Sequence, residues 1–355
     1  MLSCNGDCEG GLKYVGGRCI WDDAAVNPTL VIMCRVNGYP TDGDTSRIYQ
    51  LFTTQGSGTN NLFDYFTEMS YGRMDIGTTA VLGWVDSGLP PTSGRYAFTT
   101  SCANAAAKAY PNFPFEDYNG IISVLNSDLH IDGGNSGYNT NKLTFNGVTH
   151  TYGLINVNTY GTDTEFLSHE MGHSLGFVHS KDDKLSNCGG IPGDYCDRWD
   201  EMSAENNYFG YNTYGRQASS FVAAYRIKEG WLLAGEIIEA GPGYDGSPTQ
   251  IAAINRPEVD GPRVIRITNR TGKQWTVELM TKTRWDASIP ESAVLIHELD
   301  GNGFPLIITE VGGDYGLFPK GNGPVSFSLG SAWTVTVNSI DETAGVAEVV
   351  VRAAI

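Results

Sequence analysis

The stretch EFLSHEMGHSLGFVHS, Glu165 to Ser180, gathers three of the chain's six histidines into eleven residues. His169 and His173 stand four apart, so on a helix their rings project from one face, one turn from each other. Two imidazoles placed this way can reach one ion without bending the backbone. Glu170 follows the first of them and would face the open side of such a site. Gly176 comes three residues after His173, where the helix must stop and the chain swing away. Glycine suits that turn because it takes positive φ without a Cβ clash. The turn would bring His179 back as a third ligand. Three neutral imidazoles leave one coordination position open, the pattern of a catalytic zinc site rather than a closed structural one. Zinc lowers the pKa of its bound water to about 7, and Glu170 could take the proton while that water attacks a polarised carbonyl.

HEMGHSLGFVHS resembles the metzincin zinc-peptidase signature HExxHxxGxxH. Metzincins also carry a methionine turn beneath the metal, and YCDRWDEMSA (195–204) is similar to it, with Met202 as a packing floor. Within the clan, YCDRWDEMS is similar to the pattern of gametolysin-like microbial enzymes. DYFTEMSYGRMDI upstream and KEGWL downstream also resemble that group and the immune-inhibitor-A-like peptidases. The resemblance implies an α/β (α+β) catalytic domain with a twisted mixed sheet and an active-site helix. It implies zinc held by His169, His173 and His179, a protein or peptide substrate, and Glu170 as general base and then proton donor.

Two departures stand out. Astacins and serralysins place a tyrosine two residues after the methionine, as an extra metal ligand or oxyanion helper, and here that position is Ala204. Tyr208, Tyr211 and Tyr214 are the nearby substitutes. No cysteine-switch motif of the matrix-metalloproteinase type is present. Cys19, in GGRCIWDD, is a candidate latent ligand to the zinc, against a role in a disulfide.

The elements that must position these residues can be read from the pattern. TLVIMCRV (29–36) reads as a buried strand, and 60–76 begins with helical spacing through Leu62, Phe63, Phe66 and Met69. MDIGTTAVLGWV reads as a hairpin, SCANAAAKAY (101–110) as a helix, and GIISVLN (120–126) as another buried strand. THTYGLINVN (149–158) is expected to offer an edge to an extended substrate. The helix of the quoted stretch should start near Thr162 or Thr164. RQASSFVAAYRIKEGWL (216–232) reads as a strong amphipathic helix. Beyond it come RVIRIT, QWTVELMT, AVLIHEL, PLIITEV, VSFSL, WTVTVN and VAEVVVR, short apolar runs with regular turn signals, the mark of an all-β antiparallel sandwich. The boundary is placed near residue 235, giving a zinc metallopeptidase catalytic domain (1–235) with a cysteine-rich N-terminal segment, and a β-sandwich domain (236–355).

Composition bounds the rest. A chain of 355 residues suffices for one large domain or two ordinary ones. With 40 Asp+Glu against 23 Lys+Arg the formal charge is −17, which repels a nucleic-acid backbone. No run of about eighteen apolar residues would span a membrane. Seven cysteines and 44 glycines suit a secreted, extracellular, loop-rich monomer. An odd number leaves at least one cysteine unpaired within the monomer. Cys188 and Cys196 are close enough to staple a loop, and Cys4, Cys8 and Cys19 read as a small N-terminal knot needing one distant partner. Asn269-Arg270-Thr271 is a sequon compatible with secretion. His130 with Asp132, and His150, are either an accessory metal loop or ordinary surface histidines. Asp-rich turns at 42–44, in GDYCDRWDE and in LDGNG could take structural Ca2+ through oxygen ligands, although none has EF-hand spacing. The alternative function is a secreted adhesion or glycan-binding protein with a vestigial zinc site, using exposed aromatics such as Trp285, Tyr315 and Phe318. A decayed site would be expected to lose Glu170 first, and it is present.

Overall fold

A computed structural model describes residues 8, 11–127, 133–134, 141–158, 161–188, 190, 192–244, 246–311, 315–317, 323–330 and 332–353. The chain divides into two compact units that interleave along the sequence. One takes the residues up to Phe177 together with Tyr211–Gln217, and the other takes Val178–Gly210 and Ala218–Ile355. Residues 178–210 and 218–235 therefore cluster with the C-terminal strands. Among the described residues no helix is long and apolar enough to cross a membrane.

The first unit is mixed α/β. Its helices are α1 (Thr45–Phe52), α2 (Leu62–Met69), α3 (Arg95–Ala109) and α4 (Thr164–Ser174). The main sheet runs in the order Ala80–Asp86, Thr29–Arg35, Gly120–Leu125, Val148–Asn158 and Gly133–Gly134. The first four strands are parallel and the last is antiparallel to its neighbour. Strands buried on both faces read as near-continuous apolar runs, which is why TLVIMCR and GIISVL stood out in the sequence. Alternate residues sort the layers. Leu30, Ile32, Ile121 and Leu154 share a core with Phe98, Cys102 and Ala106 of α3. On the other face Ile155 and Met171 line one small cavity, so α4 packs there. The Cys34–Cys102 disulfide ties the second strand to α3 across 68 residues, a loop closure worth about 4 kcal/mol.

Several expectations change. The 74–86 region is not a hairpin. Met74–Asp75 pairs with Ala25–Val26 and Ala80–Asp86 pairs with Thr29–Arg35, both in parallel. Val148–Asn158 is not an open edge along its C-terminal half, because Gly120–Leu125 pairs on one side and Gly133–Gly134 on the other. Cys19 is bonded to Cys8, so it has no thiol to offer a metal. Cys4, His130, Asp132 and Phe318 lie outside the described residues.

The second unit is β-rich. Its larger sheet has the order Lys181–Asp182, Pro305–Ile307, Ala293–Leu299, Gln274–Met280, Val264–Thr268 and Ile237–Ala240. A four-stranded antiparallel sheet runs Thr249–Ala252, Val346–Ala353, Trp333–Asp341 and Val325–Leu329. Both sheets supply one core, with Ile265, Val277 and Ile296 from the first and Val335, Val337 and Val349 from the second. The expectation of a wholly antiparallel sandwich is corrected at the ends of the larger sheet. Lys181–Asp182 runs parallel to Pro305–Ile307, and Ile237–Ala240 runs parallel to Val264–Thr268. Trp285, expected to be exposed, is 3% exposed.

The helix expected over 216–232 shrinks to α5, Ala223–Lys228. The residues before it are held straight by buried carboxylates. Glu201 accepts the Ser219 amide at 2.7 Å, Asp286 accepts the Ser220 amide at 2.9 Å, and Asp200 accepts the Val222 amide at 3.3 Å. Amides committed to side chains cannot enter a helical ladder, so tertiary bonding overrides the amphipathic pattern.

Candidate metal centre

Asp163 starts α4 by accepting the Phe166 amide at 2.9 Å, the usual work of an N-cap. Arg216 donates its Nε to Asp163 at 2.9 Å and its guanidinium also lies 3.4 Å from buried Glu165. Burial pushes the Asp163 carboxyl up from its ordinary value, against the opposing pull of the Phe166 amide and Arg216. The hairpin residues Tyr211–Gln217 thus fasten the helix that carries the histidines.

The helix ends as the sequence implied. Gly176 has φ of 85°, its amide bonds the His173 carbonyl at 2.9 Å, and the Phe177 amide bonds the Gly172 carbonyl at 3.0 Å. These are the two bonds of a Schellman C-cap. The reversal puts His179 within reach of the helix histidines. One ligand atom from each of His169, His173 and His179 lies within 4.8 Å of the others. His169 and His173 have ring centroids 4.7 Å apart with planes at 85°, and His169 is buried. Among the described residues these three form the group of histidine, cysteine or acidic side chains placed to hold a metal ion.

Neighbouring acceptors fix two of the ring tautomers. His173 Nδ1 lies 2.8 Å from the Phe177 carbonyl, which can only accept, so Nδ1 carries the hydrogen and Nε2 the lone pair. His179 Nδ1 lies 2.9 Å from Asp194 Oδ2 with the same consequence. Acceptors behind the rings are what a metal site requires to orient its histidines and raise their basicity. The donor set therefore fits a transition metal that accepts imidazole nitrogen. Glu170 sits between the two helix histidines in sequence and is 8% exposed.

Met202 is wholly buried, and its carbonyl accepts the amide of Ser180, the residue after His179, at 3.1 Å. Cys196 returns its amide to the Ser180 carbonyl, and Ser180 Oγ donates to Asp200. The loop from Asp194 to Met202 is thus hydrogen-bonded at three points to Ser180, the residue after the third histidine. Cys188–Cys196 closes the same loop, the pairing expected from spacing.

A buried charged array carries this loop in turn. His297 is fully buried, with Nε2 at 2.9 Å from Asp197 and Nδ1 at 3.1 Å from Glu278. Burial alone would lower the pKa of His297, but Asp197 and then Glu278 hold it up at about 10. Burial, and then the charge of Asp197, push Asp200 up to about 8. Sequence reading took His297 for an ordinary surface or strand-edge histidine and offered Asp197 and Asp200 only as part of GDYCDRWDE, a turn considered for calcium. The signal was present as paired acids in YCDRWDE and a histidine inside an apolar strand.

The Asp-rich turns are engaged by their own surroundings. Asp42 pairs with Arg35, Asp44 caps α1, and Asp300 accepts the amides of Asn302 and Phe304. His150 stacks edge-on against Tyr152 with centroids 4.9 Å apart. Of the tyrosines considered for the metal, Tyr214 bonds Thr59, Tyr208 packs on Trp199, and Tyr211 is 77% exposed. Tyr195, which spacing did not single out, places its hydroxyl 2.9 Å from His179 Nε2.

No family model matches the chain, and no curated protein matches it. Among solved structures, it is similar to the "Structure of a chaperone-substrate complex" at 14% identity with a TM-score of 0.29. That match covers 61% of this chain and 35% of the other, so the chain spans about a third of its neighbour's length.

Proposed function

We propose that this chain is a secreted, zinc-dependent endopeptidase of the metzincin type, with its first unit built on a metzincin-like plan. One observation carries the reading: His169, His173 and His179 place ligand atoms within 4.8 Å of one another, with Glu170 in the helix turn between the first two. Three imidazoles, two of them backed by acceptors, are the ligand set of an open catalytic site rather than a closed structural one.

A zinc ion held there would supply Lewis acidity, lowering the pKa of a bound water and polarising a peptide carbonyl. Glu170 takes the proton from the attacking water and returns it to the leaving amine. His173 and His179 hold their lone pairs forward because Phe177 and Asp194 hold their Nδ1 hydrogens behind. Met202 and Ser180 keep the loop beside His179 in one arrangement. The three disulfides among the described residues suit passage through an oxidising compartment.

The test is casein cleavage by the full chain and by Glu170→Gln, with zinc content measured in both. Equal zinc with at least a hundredfold loss of cleavage is expected, the scale of a general base. Cleavage by the variant at the wild-type rate would refute the assignment. Zinc binding without cleavage by either protein would favour a binding role.

A further inference from the structure

We infer that Tyr195 guards the metal-binding nitrogen of His179: its hydroxyl donates into the Nε2 lone pair in the metal-free protein and must rotate away for a metal to load. The inference rests on the metal-site reading above and concerns how that site is filled.

Asp194 accepts the Nδ1 hydrogen of His179 at 2.9 Å. A neutral imidazole protonated at Nδ1 has only an acceptor at Nε2, so the Tyr195 hydroxyl, 2.9 Å away, is the donor. A zinc–imidazole bond is about 2.1 Å long. An oxygen 2.9 Å from the same nitrogen, anywhere between the lone-pair axis and a right angle to it, would lie within about 3.6 Å of that metal. On the axis the two would overlap. The hydrogen bond and the metal therefore compete for one lone pair.

The phenol is held there by design of the loop. Tyr195 has φ of 63°, a left-handed conformation that a bulky residue keeps only when its surroundings fix it. Its carbonyl accepts from Asn206 Nδ2, and Cys196 beside it is bonded to Cys188. The Tyr195 and His179 rings lie 4.2 Å apart, tilted by 37°. Asp197 on His297 and Asp200 on Ser180 fasten the following residues. With the backbone anchored on both sides, the hydroxyl leaves by side-chain rotation, and the cost of that rotation sets how readily metal enters.

The experiment uses the full chain, stripped of metal, titrated with zinc against a chromophoric chelator, beside Tyr195→Phe. Phenylalanine keeps the ring on His179 and removes only the hydroxyl. Losing one competing hydrogen bond should tighten zinc binding about fivefold. Imidazole ¹⁵N spectra of the metal-free wild type should show His179 as the Nδ1–H tautomer, with an Nε2 resonance that shifts in the variant. Unchanged zinc affinity would overturn the guard, and weaker binding would make the hydroxyl a ligand instead. An Nε2 resonance unaltered by the substitution would also overturn it. If neither protein binds zinc, the metal reading itself fails, and the guard with it.

Discussion

His297→Leu removes an imidazole from the buried array it forms with Asp197 and Glu278. The imidazole is fully buried and stands between Asp197 at 2.9 Å and Glu278 at 3.1 Å, both themselves buried. Leucine removes the cation and leaves two carboxylates in the interior without it. Breaking a buried charge pair from one side costs about 3–5 kcal/mol. For a unit of this size each kcal/mol is worth about 2–4 °C, so the melting temperature should fall on the order of 10 °C. Urea titration and calorimetry of both proteins at pH 7 measure it. The pH dependence gives a second check. His297 is raised from 6.5 to about 10, so its contribution is fully present below pH 6.5 and is lost as pH rises through 10. Asp200 is raised from 3.8 to about 8, so its contribution is present at acid pH and is lost as pH rises through 8. Wild type should therefore weaken steadily into alkali. The gap to His297→Leu should narrow between pH 7 and 11, because only wild type has that imidazole to lose. A gap below about 1 kcal/mol, or one independent of pH, would refute the view that a charged histidine carries this loop.

Other outcomes follow from the same geometry. Asp194→Asn should weaken zinc binding about 10- to 100-fold with little change in melting temperature, since beyond His179 it loses only an ion pair with exposed Lys181; competition with a chelator measures it. Replacing Cys188 and Cys196 by serine together should cost about 2–3 kcal/mol for their short loop, and proteolysis within 186–198 should speed up.

Much of the first unit was legible because its strands and helices have local causes. TLVIMCR and GIISVL are apolar on both faces, as strands between parallel neighbours must be. Gly176 at its offset from His173 announced the turn that the Schellman bonds then make. What stayed hidden depends on distant partners. The extended run before α5 is set by Glu201, Asp286 and Asp200, brought to it only by the fold. Tyr195 reaches His179 from a left-handed backbone, and no periodicity signals a single positive φ. The parallel pairing of Met74–Asp75 and Ala80–Asp86 came from sheet partners 49 to 51 residues upstream, which a glycine turn between the two runs could not reveal.

The most direct measurement is X-ray absorption at the zinc edge on the purified full chain, with metal content determined on the same sample. One zinc per chain is expected, bound by three imidazole nitrogens at about 2.0–2.1 Å, with one nitrogen lost from its shell in His179→Ala. A protein free of transition metal after zinc loading, or zinc bound through sulfur or carboxylates with the His179→Ala spectrum unchanged, would contradict it.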